Sequence, residues 1–188
     1  MMRIIAGEHK GARIFAPPGR DTRPTSDRVR ENVFNIVAPW VEEARVLDLY
    51  AGSGALGLEA LSRGAAHVRF VESDRRAAAV VRRNVEALGL GGQGGSAVQV
   101  SVADVPVVLR GGADQPYDVV LADPPYALDD GALSAVLGAL VSGGWLAPAA
   151  LIVVERAARA LPPAWPDGVL ELTNRRYGDT AVYYGSVL

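Results

Sequence analysis

The sequence predicts an α/β protein in which helices cover both faces of a doubly wound, mainly parallel sheet. From Arg45 onward, short apolar runs alternate with segments of helical periodicity, which is typical of parallel strands joined by helices. One run is followed by a glycine-rich turn that opens a helix. The last two extended runs flank RRYGDT and predict a closing hairpin.

The elements can be assigned in order along the chain. RIIAG and ARIFAPP, separated by EHKG, predict an N-terminal hairpin. A helix should follow, with Thr25, Ser26 and Asp27 as candidate N-caps and with Arg28 and Arg30 mainly off its core face. The apolar stripe that predicts this core face consists of Val29, Val33, Ile36 and Val37. The alternating units are RVLDLYAG, ALGLEALSRG, HVRFVES, RRAAAVVRRNVEALG, AVQVSVAD, the short VPVVLRG, YDVVLAD, ALSAVLGALVSGG and ALIVVER.

Length and composition limit the possible classes of protein. With 188 residues, the chain suits one domain plus a small appendage, which we divide into an N-terminal extension, 1–40, and a main domain, 41–188. No apolar run approaches the roughly 20 residues of a membrane span, and the opening residues do not resemble a signal peptide. The absence of cysteine permits a cytoplasmic location, and His9 and His67 lack metal-site spacing, so we expect no metal.

The charge is divided unevenly along the chain. Residues 1–30 carry seven basic and three acidic side chains, a difference of +4, whereas the whole chain carries −2 and the remainder therefore −6. A basic end on an acidic body predicts that the N-terminal region faces phosphates, although a solvated charged segment has the same composition.

The turn DLYAGSGALG indicates a cofactor site. It contains a G-x-G-x-x-G from Gly52 to Gly57 that follows an apolar strand and opens a helix, where backbone amides are available as donors. Glu72 ends the next strand, twenty residues after Gly52, where a carboxylate can accept both ribose hydroxyls. Glu72 is also compatible with a helix-start acid beside Ser73 and Asp74. Together these residues predict an adenosine-type cofactor at the carboxyl edge of the sheet.

Two further acids favour S-adenosylmethionine over a dinucleotide. Asp48 precedes the glycine turn and suits the cationic methionyl ammonium and sulfonium, although an inward strand acid is also compatible with a structural anchor. Asp104 ends the third strand of the alternating region and can accept a hydrogen bond from an adenine amino group, or cap the segment that follows. A dinucleotide would fit the glycines and Glu72 but leaves the motif DPPY without a role.

The stretch LADPPY predicts the acceptor site. Pro124 and Pro125 hold Asp123 extended at the end of its strand and stiffen the exit of the chain toward Tyr126. Asp123 and the Pro124 carbonyl could accept the two hydrogens of an exocyclic base amine and orient its lone pair, while Tyr126 stacks on an unpaired or flipped base. A proline-terminated strand with a solvated acid is the simpler alternative.

DPPY, with DLYAGSGALG upstream, resembles the amino-methyltransferases that act on exocyclic nitrogens of nucleic-acid bases. RIIAGEHKGARIFAPPG, TRPTSDRVRENVFNIV, LDLYAGSGALGLEALSRGA and the late RRYGDT resemble, more specifically, the bacterial small-subunit rRNA guanine-N2 methyltransferases of RsmD type. The resemblance runs through nearly the whole chain.

The resemblance implies a Rossmann-like class I methyltransferase fold, with a seven-stranded mixed sheet and an N-terminal hairpin. It also implies S-adenosylmethionine as donor and a guanine N2 in small-subunit (16S) rRNA or the 30S particle as acceptor. A monomer is the default expectation for the oligomeric state. A DNA adenine or cytosine methyltransferase, or an RNA-binding assembly factor with a vestigial pocket, are the alternatives. The implied acceptor-site residues are Asp123, Pro124, Pro125 and Tyr126. The implied cofactor-site residues are Thr25, Asp48, Ala51, Gly52, Ser53, Gly54, Glu72, Ser73 and Asp104. The implied RNA contacts are Arg13, Arg23, Arg28 and Arg30.

Overall fold

The computed structural model describes residues 2–17, 27–91 and 97–188. In these ranges a seven-stranded mixed sheet has the strand order β5-β4-β3-β6-β7-β9-β8. Its strands are β3 (Arg45–Leu49), β4 (His67–Glu72), β5 (Val98–Val102), β6 (Tyr117–Ala122), β7 (Leu146–Ala157), β8 (Val169–Tyr177) and β9 (Thr180–Val187). The predicted fold class, strand assignment and closing hairpin are therefore confirmed.

The order of the strands reverses between β3 and β6. The first five strands of the order, from β5 to β7, are parallel, and β9 and β8 add an antiparallel hairpin at one edge. In an open α/β sheet, ligands bind outside the carboxyl ends of the strands at such a reversal. DLYAG begins in the last residues of β3, and LAD begins in the last residues of β6, so the two motifs meet at this point.

Helices cover both faces of this sheet. They are α1 (Asp27–Val37), α2 (Ala55–Ser62), α3 (Arg75–Ala87), α4 (Val105–Arg110) and α5 (Asp130–Ser142), with a 3-10 turn at Ala38–Trp40. Asp74 caps α3 by accepting from the Arg76 amide at 2.8 Å, and Asp129 caps α5 by accepting from the Ala132 amide at 2.7 Å. Within the described ranges, every helix is too short or too polar to span a membrane.

The N-terminal hairpin packs on the outer side of α2. Its strands β1 (Met2–Arg3) and β2 (Arg13–Ile14) are antiparallel. The buried carboxylate of Glu59 on α2 accepts the amides of Ile5 at 2.8 Å and Ala6 at 3.1 Å. The hairpin, α1 and one face of the sheet contribute to the same apolar cluster, so the described apolar residues of these two elements pack against the sheet. The boundary at residue 40 stays a prediction.

Candidate active site

A cavity of about 820 Å³ lies at the carboxyl edge of the sheet, where the strand order reverses. This volume is within the range of roughly 300–1,000 Å³ that is common for small-molecule sites. The described residues that were predicted for the cofactor and acceptor sites and line it are Asp48, Ala51, Gly52, Ser53, Glu72, Ser73, Asp104, Asp123, Pro124, Pro125 and Tyr126. The cofactor turn and the acceptor motif, separated by about 70 positions in the chain, therefore share one cavity.

Several residues of the glycine turn have a left-handed backbone conformation, and one of them is not a glycine. Gly52 and Gly54 have φ angles of 59° and 80°, and Tyr50, which is not a glycine, has φ of 61°. A non-glycine residue in this region is strained, and such strain is concentrated at functional sites. Gly57 has a different role, because a Cβ there would lie 2.3 Å from Cε1 of Phe70. Gly57 thus allows α2 to pack closely on β4.

The amides of this turn are largely satisfied by the protein itself. The Gly52 amide donates to Oε2 of Glu72 at 2.8 Å, and the Gly57 amide donates to Oδ2 of Asp48 at 2.9 Å. Gly54 donates to the Ala51 carbonyl at 2.7 Å and does not line the cavity. The expectation of free amide donors for a ligand is therefore wrong at these three glycines. A pyrophosphate would find carboxylates at the two positions where it needs donors.

Asp48 is both an anchor and a perturbed acid. It is buried on β3, and burial raises the pKa of its carboxyl from 3.8 to about 8, opposed by the Gly57 amide and supported by the negative charges of Asp123 and Glu72. A cation in the cavity would lower this pKa again, because it favours the ionised form. The structural and cofactor roles considered for Asp48 are thus compatible.

Acidic side chains dominate the charged lining of the cavity. Among the described lining residues, two are basic, Arg30 and Arg110, and Arg30 is paired internally. The acidic members are Asp48, Glu72, Asp104, Asp123 and Glu155. Negative potential in a partly enclosed site favours a cationic ligand and opposes a dinucleotide. This set of acidic acceptors therefore fits S-adenosylmethionine, which carries an ammonium and a sulfonium.

The far end of the cavity is formed by α4. Asp104 is exposed and occupies the N-cap position of α4. Its side chain makes no capping hydrogen bond among the described residues, so their contacts do not support the alternative of a capping role. Val105, Pro106 and the half-exposed Val107 provide an apolar wall beside this carboxylate. An apolar wall with one acceptor at its edge is suited to a purine bearing an amino group.

The acceptor corner, residues Asp123 to Tyr126, is held by the neighbouring strand β3. The Asp123 amide donates to the Leu49 carbonyl at 3.5 Å, which extends the pairing of β6 with β3 by one residue. Asp123 is partly buried, Pro124 is buried, and Tyr126 keeps 63% of its surface exposed. A carboxylate on a fixed strand end therefore stands next to an aromatic side chain that is open to a large ligand.

The arginines predicted to contact RNA differ in their environments. Arg30 is fully buried and forms ion pairs with Asp27 at 2.9 Å and Glu59 at 3.7 Å, so its assignment as a phosphate contact is wrong. Its position on the core-facing side of α1 also corrects the expected helix face. Arg13 and Arg28 are exposed, as a phosphate contact requires. Arg23, Thr25 and Ser26 lie in residues 18–26, outside the described residues. Of the three candidate N-caps, Asp27 alone is described, and α1 begins there.

Two buried polar residues that the sequence did not single out connect the hairpin to the site. Asn84 on α3 accepts from the Phe15 amide at 2.8 Å, donates to the Phe15 carbonyl at 3.0 Å, and donates to the Ser53 carbonyl at 2.9 Å. Glu59 joins the hairpin to Arg30 and, at 2.7 Å, to Arg63. Both residues are polar and lie on otherwise apolar helix faces. This pattern could have identified them from the sequence, because a buried polar side chain is normally hydrogen-bonded.

The fold and its acid-lined cavity define a protein with the class I methyltransferase architecture. A family model described as Conserved hypothetical protein 95 matches residues 2–186. Ribosomal RNA small subunit methyltransferase D of Escherichia coli (strain K12) is 40% identical over 154 residues, covering 82% of this chain and 74% of that protein. The protein of the same name from Haemophilus influenzae is 37% identical over 155 residues, covering 82% and 78%.

A solved structure agrees with these sequence matches. The putative methyltransferase yhhF from Escherichia coli superposes with a TM-score of 0.86 at 35% identity, covering 99% of this chain and 97% of that one. The chain belongs to the ribosomal RNA small subunit methyltransferase D family, and the resemblance seen in the sequence is confirmed.

Proposed function

We propose that this protein transfers a methyl group from S-adenosylmethionine to the exocyclic N2 amino group of a guanine in small-subunit rRNA. The observation that carries the proposal is the shared cavity, which brings the acceptor residues Asp123 to Tyr126 beside an acid-lined cofactor pocket. Membership of a family whose named relatives are small-subunit rRNA methyltransferases supports the choice of substrate. This substrate implies a cytoplasmic location.

The cofactor would lie along the edge of β3, β4 and β5. Asp48 and the turn from Ala51 to Ser53 would hold the methionyl end, Glu72 the ribose hydroxyls, and Asp104 with the wall of α4 the adenine. When bound, S-adenosylmethionine supplies an electrophilic methyl group on a sulfonium that departs as a neutral thioether. Ser73 lines the same cavity near Glu72, and Thr25 stays a proposed contact to the methionyl end.

Asp123 prepares the attacking nitrogen. Its carboxylate would accept one amino hydrogen and the Pro124 carbonyl the other, so that the lone pair points away from both acceptors. The nitrogen gains a bond to carbon and must lose one proton, which the Asp123 carboxylate can take. The extended backbone that Pro124 and Pro125 impose keeps these two acceptors in fixed relation.

The exposed ring of Tyr126 would position the base by stacking on it. A ring of which 63% is accessible can stack on a purine that has left its helix, and such stacking contributes about 1–3 kcal/mol per base. Arg13 and Arg28 are exposed and would contact RNA phosphate, with Arg23 as a further proposed contact. Arg30 is excluded from this set by its burial.

The proposal is tested by supplying several possible acceptors in parallel. Small subunits from a strain without the homologous activity, naked small-subunit rRNA, and single- and double-stranded DNA are incubated with methyl-labelled donor. We expect label in the particle or its RNA, and we expect Asp123→Ala to lower kcat by about 100-fold or more, the scale of losing one positioned polar group. Cofactor affinity, measured by calorimetry, should change little in this variant.

Two results would contradict the proposal. Label in DNA alone would assign the same acceptor corner to a DNA base methyltransferase. Unchanged turnover in Asp123→Ala would remove this carboxylate from the reaction. Asp114→Asn changes an exposed acid that does not line the cavity, so it is the matched control and should keep full turnover.

A further inference from the structure

A second carboxylate, Glu155 on β7, lines the same cavity as Asp123 and Tyr126. Only 9% of its surface is accessible. It follows Leu151 and Val153 on the same side of β7, and both of these residues belong to the apolar cluster beneath the cavity. A largely buried acid that lines the cavity together with Asp123 and Tyr126 is in a position to contact a bound base.

The register of the sheet places Glu155 level with Asp123. Leu121 of β6 pairs with Val153 of β7, and Ala122 pairs with Val154, in a parallel arrangement. Since side chains alternate between faces, Asp123 and Glu155 each lie two residues beyond a paired position and project to the same face. Neighbouring strands are about 4.8 Å apart, so the backbones that carry the two carboxylates are adjacent.

The possible acceptor bases differ at the ring nitrogen beside the exocyclic amine. Guanine presents the N2 amino group and, next to it, the N1 hydrogen, so two neighbouring donors face two neighbouring carboxylates. Adenine and cytosine also carry an exocyclic amine, but the ring nitrogen beside it is an acceptor. A second carboxylate would place an acceptor opposite that lone pair, which is unfavourable, whereas guanine offers it a donor.

We propose that Glu155 accepts the N1 hydrogen of guanine and is the residue that selects guanine among the bases with an exocyclic amine. This inference rests on the proposed function, because it concerns the base that the same site would methylate. It gives the two acids distinct tasks, since Asp123 orients the reacting nitrogen and Glu155 reads the neighbouring ring position.

The test uses 2-aminopurine, which keeps the 2-amino group but lacks the N1 hydrogen. After the methylated nucleotide has been mapped in the wild-type reaction, ligated rRNA with guanine or 2-aminopurine at that position is assembled into small subunits. We expect wild-type kcat/KM to favour guanine by about 10- to 100-fold, the discrimination typical of one well-placed base contact. In Glu155→Gln, whose amide can also donate to a ring acceptor, we expect this ratio to approach one.

The ratio distinguishes recognition from a structural role. A variant that is merely misfolded in part loses activity on both substrates equally, so its ratio stays at the wild-type value, and that result would overturn the proposal. Equal use of the two bases by the wild type would overturn it without any variant. Glu42→Gln, on the exposed turn before β3, is the control and should keep the wild-type ratio. If the wild type methylates no guanine at all, the proposed function fails first, and the two failures are thereby separated.

Discussion

Replacing Asp48 by Asn should stabilise the free protein and weaken cofactor binding at the same time. Asn keeps an oxygen that can accept from the Gly57 amide, now at 2.9 Å from the carboxylate, but it carries no charge. The substitution therefore retains the anchor of α2 and removes the acid that burial perturbs.

The expected gain follows from the pKa difference. The carboxyl has a pKa of about 8 in the folded protein and an ordinary value of 3.8. Because the folded state holds the proton more tightly, the stability that this group contributes is full below about pH 4 and is lost as the pH rises toward 8. Between pH 3.8 and 7 the difference amounts to at most about 4 kcal/mol, at 1.36 kcal/mol per unit.

Urea unfolding at pH 5 and pH 7.5 measures this effect directly. We expect Asp48→Asn to exceed the wild type in stability at pH 7.5 and the advantage to shrink at pH 5, where the limit is about 2 kcal/mol. Calorimetry should show S-adenosylmethionine affinity lowered at least tenfold, since the attraction between a carboxylate and a nearby cation is worth several kcal/mol at an effective dielectric constant of about 20. A variant that is less stable than the wild type at pH 7.5 would mean that the ionised Asp48 carboxylate is not destabilising in the folded protein. The control Asp114→Asn should change stability by no more than about 0.5 kcal/mol.

Further predictions concern the acceptor face and the arginines. Tyr126→Phe should keep most of the activity because the stacking ring remains, whereas Tyr126→Ala should raise KM for the RNA about tenfold or more in steady-state assays; equal loss in both variants would indicate a role for the hydroxyl instead. Arg28→Gln should weaken RNA binding and reduce the slope of log affinity against log salt by about one without lowering stability. Arg30→Gln should instead destabilise the protein by about 3 kcal/mol in urea unfolding, because Glu59 loses a buried partner; a change in salt slope with unchanged stability would reverse the assignment of the two arginines.

The sequence predicted the fold well because its signals are local. Apolar runs of strand length, a glycine turn after β3 and the prolines after β6 each constrain the backbone where they occur. Their convergence on one cavity followed from the rule that ligands bind where the strand order reverses, and β3 and β6 are indeed neighbours.

What the sequence did not reveal depends on partners distant in the chain. Periodicity alone placed Arg30 off the core face of α1, but Asp27 and the buried Glu59 make it possible to bury a guanidinium there. The glycine amides appeared available because their acceptors, Asp48 and Glu72, are set by tertiary geometry. Glu155 follows directly on an apolar run and belongs to no motif, so the sequence did not identify it. The pairing of β6 with β7 brings it level with Asp123.

The most direct test of the proposed function is to identify the methylated nucleoside chemically. Small subunits are treated with the protein and isotopically labelled donor, the RNA is digested to nucleosides, and the products are separated and identified by mass spectrometry. We expect labelled N2-methylguanosine. Labelled N6-methyladenosine or N4-methylcytidine in its place would contradict the assignment of guanine as the acceptor.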